Sequence, residues 1–406
     1  MKKKVAVLGA TGSIGKSTLD VLRNDRTCFE PVLFSANSNV EKLLELKKEF
    51  PGALTALVSD SSEPSDPSVP TGSISSKETG KAPSPTSGID FVGKQGLLNA
   101  IAAAGADITV NGISGAAGLL PSEAVLKAGS DLALANKETV VMAGQLIFAM
   151  AAEKKVRIIP VDSEHSAVFK LLEAHGRNNA CEIILTASGG PFRNYSTQML
   201  SRVSPGEAMA HPTWNMGPKI SVDSATLANK GLEVIEAAGL FGFPPEKIKV
   251  VLHPQSIVHS MIRLKNGAVY AQMSNPDMRL PIHEALSWPE TKDSPFGVLD
   301  FDCLSLSFEK CDFERFPMLA LAYEALREGP LLPAVYNAAN EKAVEVFFRG
   351  GIGFLEIPRI VEYVIDKSFS FLPQTEGSAT VETVLDLDRK ARELVIRYIE
   401  NLNGSR

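Results

Sequence analysis

The chain has 406 residues, 44% of them hydrophobic and 22% charged, with a formal net charge of −6 and a pI near 5.7. This length allows two or three domains with sizeable cores, and the acidic balance argues against a nucleic-acid surface or a polybasic membrane patch. No apolar run approaches the ~20 residues that span a bilayer. The four cysteines are scattered without metal-binding spacing, which favours free thiols in a reducing compartment. We therefore expect a cytoplasmic protein with a small-molecule partner and no membrane or nucleic-acid contact.

Through the first 160 residues, short β-branched runs alternate with helical patterns. The runs are VAVLG, PVLFSAN, ALTALVSD, ADITVNG, DLALAN and VRIIPVD. This alternation predicts an α/β fold with a Rossmann-like, doubly wound parallel sheet, which we assign to residues 1–151. Within it, residues 59–88 contain ten Ser and five Pro among thirty residues, a composition that predicts a mobile surface insertion.

The pattern changes after about residue 151. CEIILTASGGPF reads as a strand that enters a Gly-rich turn, and SIVHSMIRLKNGAVYAQMS gives two strands around Asn266-Gly267, a strong hairpin signal. We expect a central α+β domain with a mixed sheet at residues 152–290 and a linker at 291–311. Helical patterns after it predict a C-terminal α-helical bundle at 312–406.

In VAVLGATGSIGKSTLDVL, Gly9, Gly12 and Gly15 stand three apart between a strand and an amphipathic helix. Small residues there let backbone N–H groups and the helix N-terminus approach a pyrophosphate, although a plain tight turn would also use glycines. The flanking strand and helix favour dinucleotide binding. The second strand ends in neutral residues, 35–39, where an NAD site would carry an acidic residue, so NADP is favoured over NAD.

RIIPVDSEHSAVF places Asp162 and Glu164 directly after a buried strand. In extended backbone, side chains two residues apart leave on the same side, so the two carboxylates would converge. Such hard oxygen ligands suit Mg²⁺ or Mn²⁺. The alternative is an ordinary helix N-terminus, where the helix dipole favours acidic residues.

SVDSATLANKGLEVIEAAGLF supplies a third carboxylate. The apolar residues Leu227, Val234, Ile235 and Ala238 predict one helical stripe, with Asn229, Lys230 and Glu233 on the opposite side. Either this side is solvated and holds a weak Lys–Glu pair, or Glu233 completes a metal site.

Three loops have both a functional and a structural interpretation. TASGGPF, with Ser188, could hold a phosphate, act as a hinge or be an ordinary loop, and HPTWNMGPK could close over substrate or cover a core edge. LANKETVV places Asn136, Lys137 and Glu138 at the rim where Rossmann-type ligands bind, although Asn136 could equally cap the next helix.

The motifs GATGSIG, ANKE, PVDSEH, SGGPF, HPTWNMG, KISVDSATLANKGLE, HPQSIVHSM and NPDMRLPI occur in an order and spacing that resemble the 1-deoxy-D-xylulose 5-phosphate reductoisomerase family. The resemblance to bacterial-type members covers the whole chain. It implies the rearrangement and NADPH-dependent reduction of 1-deoxy-D-xylulose 5-phosphate to 2-C-methyl-D-erythritol 4-phosphate in non-mevalonate isoprenoid biosynthesis. It also implies a divalent metal (Mg²⁺ or Mn²⁺, with Co²⁺ as a further option) and a homodimer.

The resemblance assigns roles to matching residues. The metal ligands would be Asp162, Glu164 and Glu233, and Lys137 and Glu138 would line the substrate side of the cofactor site. Substrate would contact Ser163, Glu164, Ser188, His211, Trp214, Met216, Ser224, Asn229, Lys230 and Glu233, with Trp214 and Met216 in a lid at about 188–219. NADPH would contact Gly9, Thr11, Gly12, Ser13, Ile14, Asn39, Asn136, Lys137, Glu138, Gly217 and Met278.

Two features depart from the family pattern, namely the 59–88 insertion and Pro218, where relatives often carry a basic residue. Two other function classes fit parts of the sequence. One is another NADP-dependent two-domain oxidoreductase of the semialdehyde or homoserine dehydrogenase type, and the other is a non-catalytic NADPH sensor. Neither requires three carboxylates that converge on a metal.

Overall fold

The computed structural model describes residues 1–59, 87–210, 213–214, 217–373 and 379–404. The chain divides into two compact units. The first consists of Met1–Ala135 and Met150–Ile159, and the second of Asn136–Ala149 and Pro160–Arg406. The finer division at residues 151, 290 and 311 stays a prediction.

The first unit is built on a seven-stranded sheet. Its strands are β1 (Lys3–Leu8), β2 (Phe29–Ala36), β3 (Leu54–Leu57), β4 (Phe91–Val92), β5 (Ile108–Asn111), β6 (Asp131–Leu134) and β7 (Ile158–Pro160), and its helices are α1 (Ser13–Asn24), α2 (Val40–Glu49), α3 (Gly93–Ala104) and α4 (Leu119–Lys127). The strand order is β4-β3-β2-β1-β5-β6-β7, and the pairs from β4 through β6 are parallel. This confirms the doubly wound sheet. The short strand β4 was not among the predicted runs.

Helix α5 (Lys137–Lys154) belongs to the second unit as far as Ala149, and its last turn belongs to the first. The second unit then contains α6 (Ser163–His175), β8 (Ala180–Ala187), α7 (Thr197–Leu200), α8 (Pro205–Ala208), α9 (Pro218–Thr226), α10 (Ala228–Phe241), β9 (Ile248–Leu252), β10 (Val258–Leu264), β11 (Val269–Met273), α11 (Arg279–Ser287), β12 (Glu309–Lys310), α12 (Pro317–Arg327), α13 (Leu332–Phe348), α14 (Glu356–Ser368) and α15 (Val381–Gly404). Helices α12 to α15 confirm the predicted helical C-terminal part.

The sheet of the second unit is mixed, as predicted. Its order is β11-β10-β8-β9-β12, with β8 and β9 parallel and the other pairs antiparallel. The hairpin at Asn266-Gly267 is confirmed, since β10 pairs with β11 and Gly267 has φ +87°. Strand β12 lies inside the predicted linker.

A core of aliphatic and aromatic side chains joins this sheet to the C-terminal helices. Ile183 and Leu185 of β8, Leu232 of α10 and Tyr336 of α13 belong to this core and are all buried. Residues 60–86 of the predicted insertion lie outside the described residues. Among the helices that the structure describes, none is long and apolar enough to cross a membrane.

Candidate active site

The glycine loop, residues 9–15, connects β1 to α1 and is shaped by close backbone contacts. Gly9 has φ +75°, and a Cβ at this position would lie 3.0 Å from the Gly112 oxygen. A Cβ on Gly15 would lie 2.4 Å from the Ala10 carbonyl carbon, so no larger residue fits without a shift of the backbone. Gly12 is the N-cap of α1 and adds no side chain in front of the first turn. The loop therefore presents backbone rather than side chains at the helix start.

Other predicted cofactor residues also stand where helices begin. Asn39 caps α2 through its Oδ1, which accepts from the Lys42 N–H at 2.9 Å, while Gly217 and Met278 are the N-caps of α9 and α11. Asn136 precedes α5, and its Oδ1 accepts from the Thr139 N–H at 2.9 Å. The capping interpretation of Asn136 is therefore correct, and a further role stays a prediction.

Asp162, Glu164 and Glu233, which we call the carboxylate cluster, lie close together in the second unit. Each offers one oxygen, and these atoms all lie within 4.8 Å of one another. The expected extended backbone is wrong, because Asp162 is the N-cap of α6 and Glu164 lies in its first turn. The predicted convergence occurs because the N-cap and the first helical turn both face Glu233 of α10.

Two ammonium groups lie within the carboxylate cluster. Lys137 Nζ is 2.6 Å from Asp162 Oδ2 and 3.2 Å from Glu233 Oε1. Lys230 Nζ is 2.7 Å from Glu164 Oε1 and also contacts Glu233. Glu233 is 1% exposed and Lys230 3%, so the solvated-face interpretation of α10 is wrong.

The cluster fits a hard divalent cation. Burial and the nearby Glu164 carboxylate raise the pKa of Glu233 to about 7. Burial also opposes ionisation of Asp162, but the Lys137 charge outweighs it and lowers the pKa of that carboxyl. Three carboxylates face only two ammonium groups, and oxygen donors of this kind suit Mg²⁺ or Mn²⁺.

A second group of possible ligands, Asp162, His165 and Glu236, lies beside the cluster. His165 Nδ1 is 2.9 Å from Glu236 Oε2, and its Nε2 is 2.9 Å from the Glu233 carbonyl oxygen. We assign the cation to the carboxylate cluster because all three of its ligands are oxygens, which Mg²⁺ and Mn²⁺ prefer, whereas the second group includes an imidazole nitrogen. We did not predict the His165–Glu236 pair, although His165 stands in the PVDSEH motif.

Helix α10 does not extend through Leu227 as the apolar stripe suggested. Leu227 has φ +62° and separates α9 from α10. Past this break, Gly231 lets α10 approach the C-terminal helices, because a Cβ there would lie 2.7 Å from Ala322 Cβ and 2.9 Å from the Tyr336 hydroxyl. The break and the glycine together set the position of Glu233.

Several predicted phosphate residues also lie near one another. The Gly190 N–H donates to Ser188 Oγ at 3.2 Å, and a Cβ on Gly190 would lie 2.7 Å from the Ser224 carbonyl oxygen. The Ser188 loop therefore packs on α9 beside Ser224. Asn229, in the first turn of α10, donates to Glu233 Oε1 at 2.6 Å.

The remaining predicted substrate residues divide between described and undescribed positions. Ser163 Oγ donates to Glu164 Oε2 at 2.5 Å. The Trp214 ring lies 6.2 Å from the His259 ring, centroid to centroid. His211 and Met216 lie outside the described residues, so their predicted roles stay predictions.

The fold is that of a two-unit α/β protein with a Rossmann-like first unit. Comparisons with known proteins identify the family within this class. Residues 5–144 match the family described as 1-deoxy-D-xylulose 5-phosphate reductoisomerase. Residues 158–241 match the C-terminal domain family of that enzyme, and residues 273–394 match a further DXP reductoisomerase C-terminal domain family.

Relatives match over the whole chain. The 1-deoxy-D-xylulose 5-phosphate reductoisomerase of Treponema denticola is 44% identical over 405 residues, which is 99% of each chain. The Zymomonas mobilis reductoisomerase in complex with NADPH is 40% identical, with a TM-score of 0.85 over 98% of this chain and 100% of the other. A DOX-P reductoisomerase in complex with NADPH, fosmidomycin and magnesium is 35% identical, with a TM-score of 0.88 over 99% of each chain. The chain belongs to the 1-deoxy-D-xylulose 5-phosphate reductoisomerase family.

Proposed function

We propose that this protein converts 1-deoxy-D-xylulose 5-phosphate to 2-C-methyl-D-erythritol 4-phosphate, with NADPH and Mg²⁺ or Mn²⁺, as a step of non-mevalonate isoprenoid biosynthesis. The observation that carries the proposal is the carboxylate cluster with its two ammonium groups, in a chain that belongs to this family. The relatives with bound NADPH and magnesium support the two cofactors.

The proposal gives the cation to Asp162, Glu164 and Glu233. When bound, the metal would supply Lewis-acid polarisation of the substrate's carbonyl and hydroxyl oxygens, and NADPH would supply the hydride. Lys137 and Lys230 hold the three carboxylates close together through their ion pairs before the cation arrives. Their ammonium groups also offset the negative charge that a phosphosugar brings.

The substrate phosphate is proposed to contact Ser188 in its loop, His211, and residues on both sides of the break at Leu227. These residues are Ser188, His211, Ser224, Asn229 and Lys230. A hydroxyl, an amide and an ammonium group suit phosphate oxygens, which accept hydrogen bonds and carry negative charge. Ser163, Trp214 and Met216 are proposed to contact the rest of the substrate, with Trp214 and Met216 on a lid at about 188–219 that excludes water.

NADPH is proposed to bind with its pyrophosphate at the glycine loop, because backbone N–H groups and the N-terminus of α1 meet there. Asn39, Asn136, Gly217 and Met278 are proposed as further contacts, together with Lys137 and Glu138.

Each predicted domain has a proposed role. Residues 1–151 would bind NADPH, and residues 152–290 would carry the metal and the dimer contact. Residues 312–406 would form the helical part beyond the 291–311 linker. A homodimer in the cytoplasm completes the proposal.

The first experiment measures NADPH oxidation by its absorbance in chelator-treated protein with 1-deoxy-D-xylulose 5-phosphate, before and after addition of Mg²⁺ or Mn²⁺. We expect consumption that depends on both the substrate and the metal. Folded protein that binds NADPH but never consumes it would contradict the proposal and favour a sensor. Metal-independent turnover of another carbonyl substrate would favour a different dehydrogenase. Light scattering after gel filtration tests the homodimer.

A further inference from the structure

A chain of polar side chains links α13 to the start of α5, apart from the carboxylate cluster. Asn340 Nδ2 donates to Asp223 Oδ1 at 2.9 Å. Lys219 Nζ lies 2.8 Å from Asp223 Oδ2 and 2.9 Å from Glu138 Oε1. Asn136 Nδ2 donates to Glu138 Oε2 at 3.0 Å. The chain of contacts thus ends on a residue that the proposed function assigns to NADPH.

The carboxylates and amides of this chain of contacts are removed from water, whereas the Lys219 side chain is 23% exposed. Asn340 is 0% exposed, Asp223 1% and Glu138 6%. Burial raises the pKa of Glu138, but the Lys219 charge lowers it below its ordinary value, so the carboxylate stays ionised at neutral pH. One ammonium group therefore forms the direct ion pairs of two buried carboxylates, and its removal would leave both without that partner, with Lys137 as the remaining cation near Glu138.

The amide of Asn136 is fixed from both ends. Its Oδ1 accepts from the Thr139 N–H at 2.9 Å and from the Thr139 hydroxyl at 2.5 Å, while its Nδ2 donates to Glu138. A Glu138 that lost its ammonium partner would take up a proton or turn toward water. Either change weakens the acceptor that orients the Nδ2 group of Asn136.

We propose that Lys219 is a positioning residue for NADPH: it holds Glu138 so that Glu138 orients Asn136, and Asp223 with Asn340 fixes Lys219 from the side of α13. This inference rests on the proposed function, because the contact between Asn136 and NADPH is part of it. It assigns a role in cofactor binding to α13, through the Asn340 side chain.

The arrangement separates this role from that of the carboxylate cluster. Lys219 forms its ion pairs with Glu138 and Asp223, whereas Lys137 and Lys230 pair with the proposed metal ligands. Loss of Lys219 should therefore weaken NADPH binding more than it changes the metal requirement.

The test compares the parent with Lys219→Met in full-length protein, by fluorescence titration with NADPH in the absence of substrate and metal. Residues that orient metal ligands change metal affinity by about 10- to 100-fold when they are removed. By analogy we expect the Kd for NADPH to rise by about tenfold in Lys219→Met. Lys219→Arg keeps the charge and should recover most of the affinity. The matched control is Lys342→Met on α13, which removes a lysine paired with Glu345 at 3.0 Å and should leave the Kd unchanged.

A double-mutant cycle separates positioning from general destabilisation. If Lys219 acts through Asn136, then in an Asn136→Ala background Lys219→Met should change the Kd for NADPH by less than about twofold. A purely structural role predicts a lower Tm and the same fold-loss of affinity in both backgrounds, and that result would overturn the inference.

The remaining outcomes are also decisive. An unchanged Kd in folded Lys219→Met overturns the inference while the proposed function stands, whereas a parent that does not bind NADPH refutes the proposed function itself. Where Lys219→Met fails to fold, Asn340→Ala replaces it, with an expected rise in Kd of about threefold because it acts two contacts further away, through Asp223 and Lys219. A parent-like Kd in folded Asn340→Ala would then overturn the inference.

Discussion

The glycine loop of the first unit and the carboxylate cluster of the second are suited to charged ligands in opposite ways. The loop depends on absent side chains, since a Cβ at Gly15 would lie 2.4 Å from the Ala10 backbone. The cluster depends on charged side chains whose oxygens are held within 4.8 Å by the start of α6, by α10 and by two lysines. A steric change should therefore damage the glycine loop, and a change of charge should damage the carboxylate cluster. The two sites can then be tested separately by mutation.

The largest effect is expected from Glu233→Gln. The substitution keeps the size of the side chain but removes one charge from the carboxylate cluster, so turnover should fall by about 100-fold or more. The Kd for NADPH should stay at the parent value, because the glycine loop is untouched. Steady-state kinetics and a fluorescence titration measure the two quantities, with Glu324→Gln on exposed α12 surface as the control. Unchanged turnover would remove Glu233 from the metal site.

Gly15→Ala should give the reverse pattern. The added Cβ meets backbone atoms of Ala10 and Gly9, so the loop must shift, at a cost of about 1–3 kcal/mol. If about 1.4 kcal/mol of that falls on the ligand contacts, the Kd for NADPH rises about tenfold. Gly52→Ala in the same unit is the control, because a Cβ there has no atom within 4 Å.

Equilibrium binding of Mn²⁺ to Gly15→Ala, measured by calorimetry, should match that of the parent. A loss of metal binding together with NADPH binding would mean that the two sites are not independent. The same conclusion would follow if Glu233→Gln lost NADPH affinity.

Asp90→Ala should lower stability and leave both sites intact. Asp90 Oδ2 accepts from the N–H and hydroxyl of buried Thr55 at 2.8 Å each, and from Lys47 Nζ at 2.8 Å. Loss of these bonds should cost about 1–2 kcal/mol in the free energy of unfolding by urea. Asp20→Ala, which removes an exposed carboxylate, should cost less.

The cost of Asp90→Ala should depend on pH. Burial opposes ionisation, but the bonds from Lys47 and Thr55 outweigh it and lower the pKa of Asp90 below its ordinary value of 3.8. A carboxyl whose pKa is lower in the folded state stabilises the fold above the ordinary value and loses that effect as pH falls through the folded pKa. The difference between parent and Asp90→Ala should therefore be full at neutral pH and shrink below pH 3.8, and a constant difference would contradict this account.

The smallest effect is expected from deletion of residues 61–86. Strand β3 pairs with β4 through Ala56–Phe91 and Leu57–Val92. The Asp90 side chain, just before β4, accepts from the N–H of Thr55 on β3. After the deletion, residues 58–60 and 87–90 would connect Leu57 to Phe91, and each of these residues can span about 3.3 Å in extended backbone. The values of kcat and of the Kd for NADPH should stay within about twofold of the parent. Insoluble protein would show that the deleted segment has core contacts.

Local patterns were sufficient to predict much of the fold. The alternation of β-branched runs with helical segments predicts the parallel sheet, and Asn266-Gly267 predicts the β10–β11 hairpin, because both signals lie within a few residues of the element they specify. The break at Leu227 was not predictable in this way. A non-glycine residue with φ +62° is held by its surroundings rather than by its own preference.

The candidate site was predictable only in part, for a similar reason. Asp162 and Glu164 are neighbours in sequence, so their proximity was expected even though the backbone between them is helical and not extended. Contacts between distant residues leave no local pattern: Asp223 and Asn340 are 117 residues apart, and Lys219 and Glu138 are 81 apart. Only the spacing of Lys219 and Asp223, four residues apart on one helix, could have suggested a pair.

The contact of Gly231 with the C-terminal helices has a consequence for how the sequence can evolve. Position 231 lies between Lys230 and Glu233, and the space that a larger side chain would need is occupied by Ala322 and Tyr336. A larger residue at 322 would push on α10 at Gly231 and so shift Glu233 relative to Asp162 and Glu164. Ala322 is not one of the proposed ligands, yet the volume allowed at its position is limited by its contact with α10. A larger residue at 231 should therefore be accepted only together with changes at both 322 and 336.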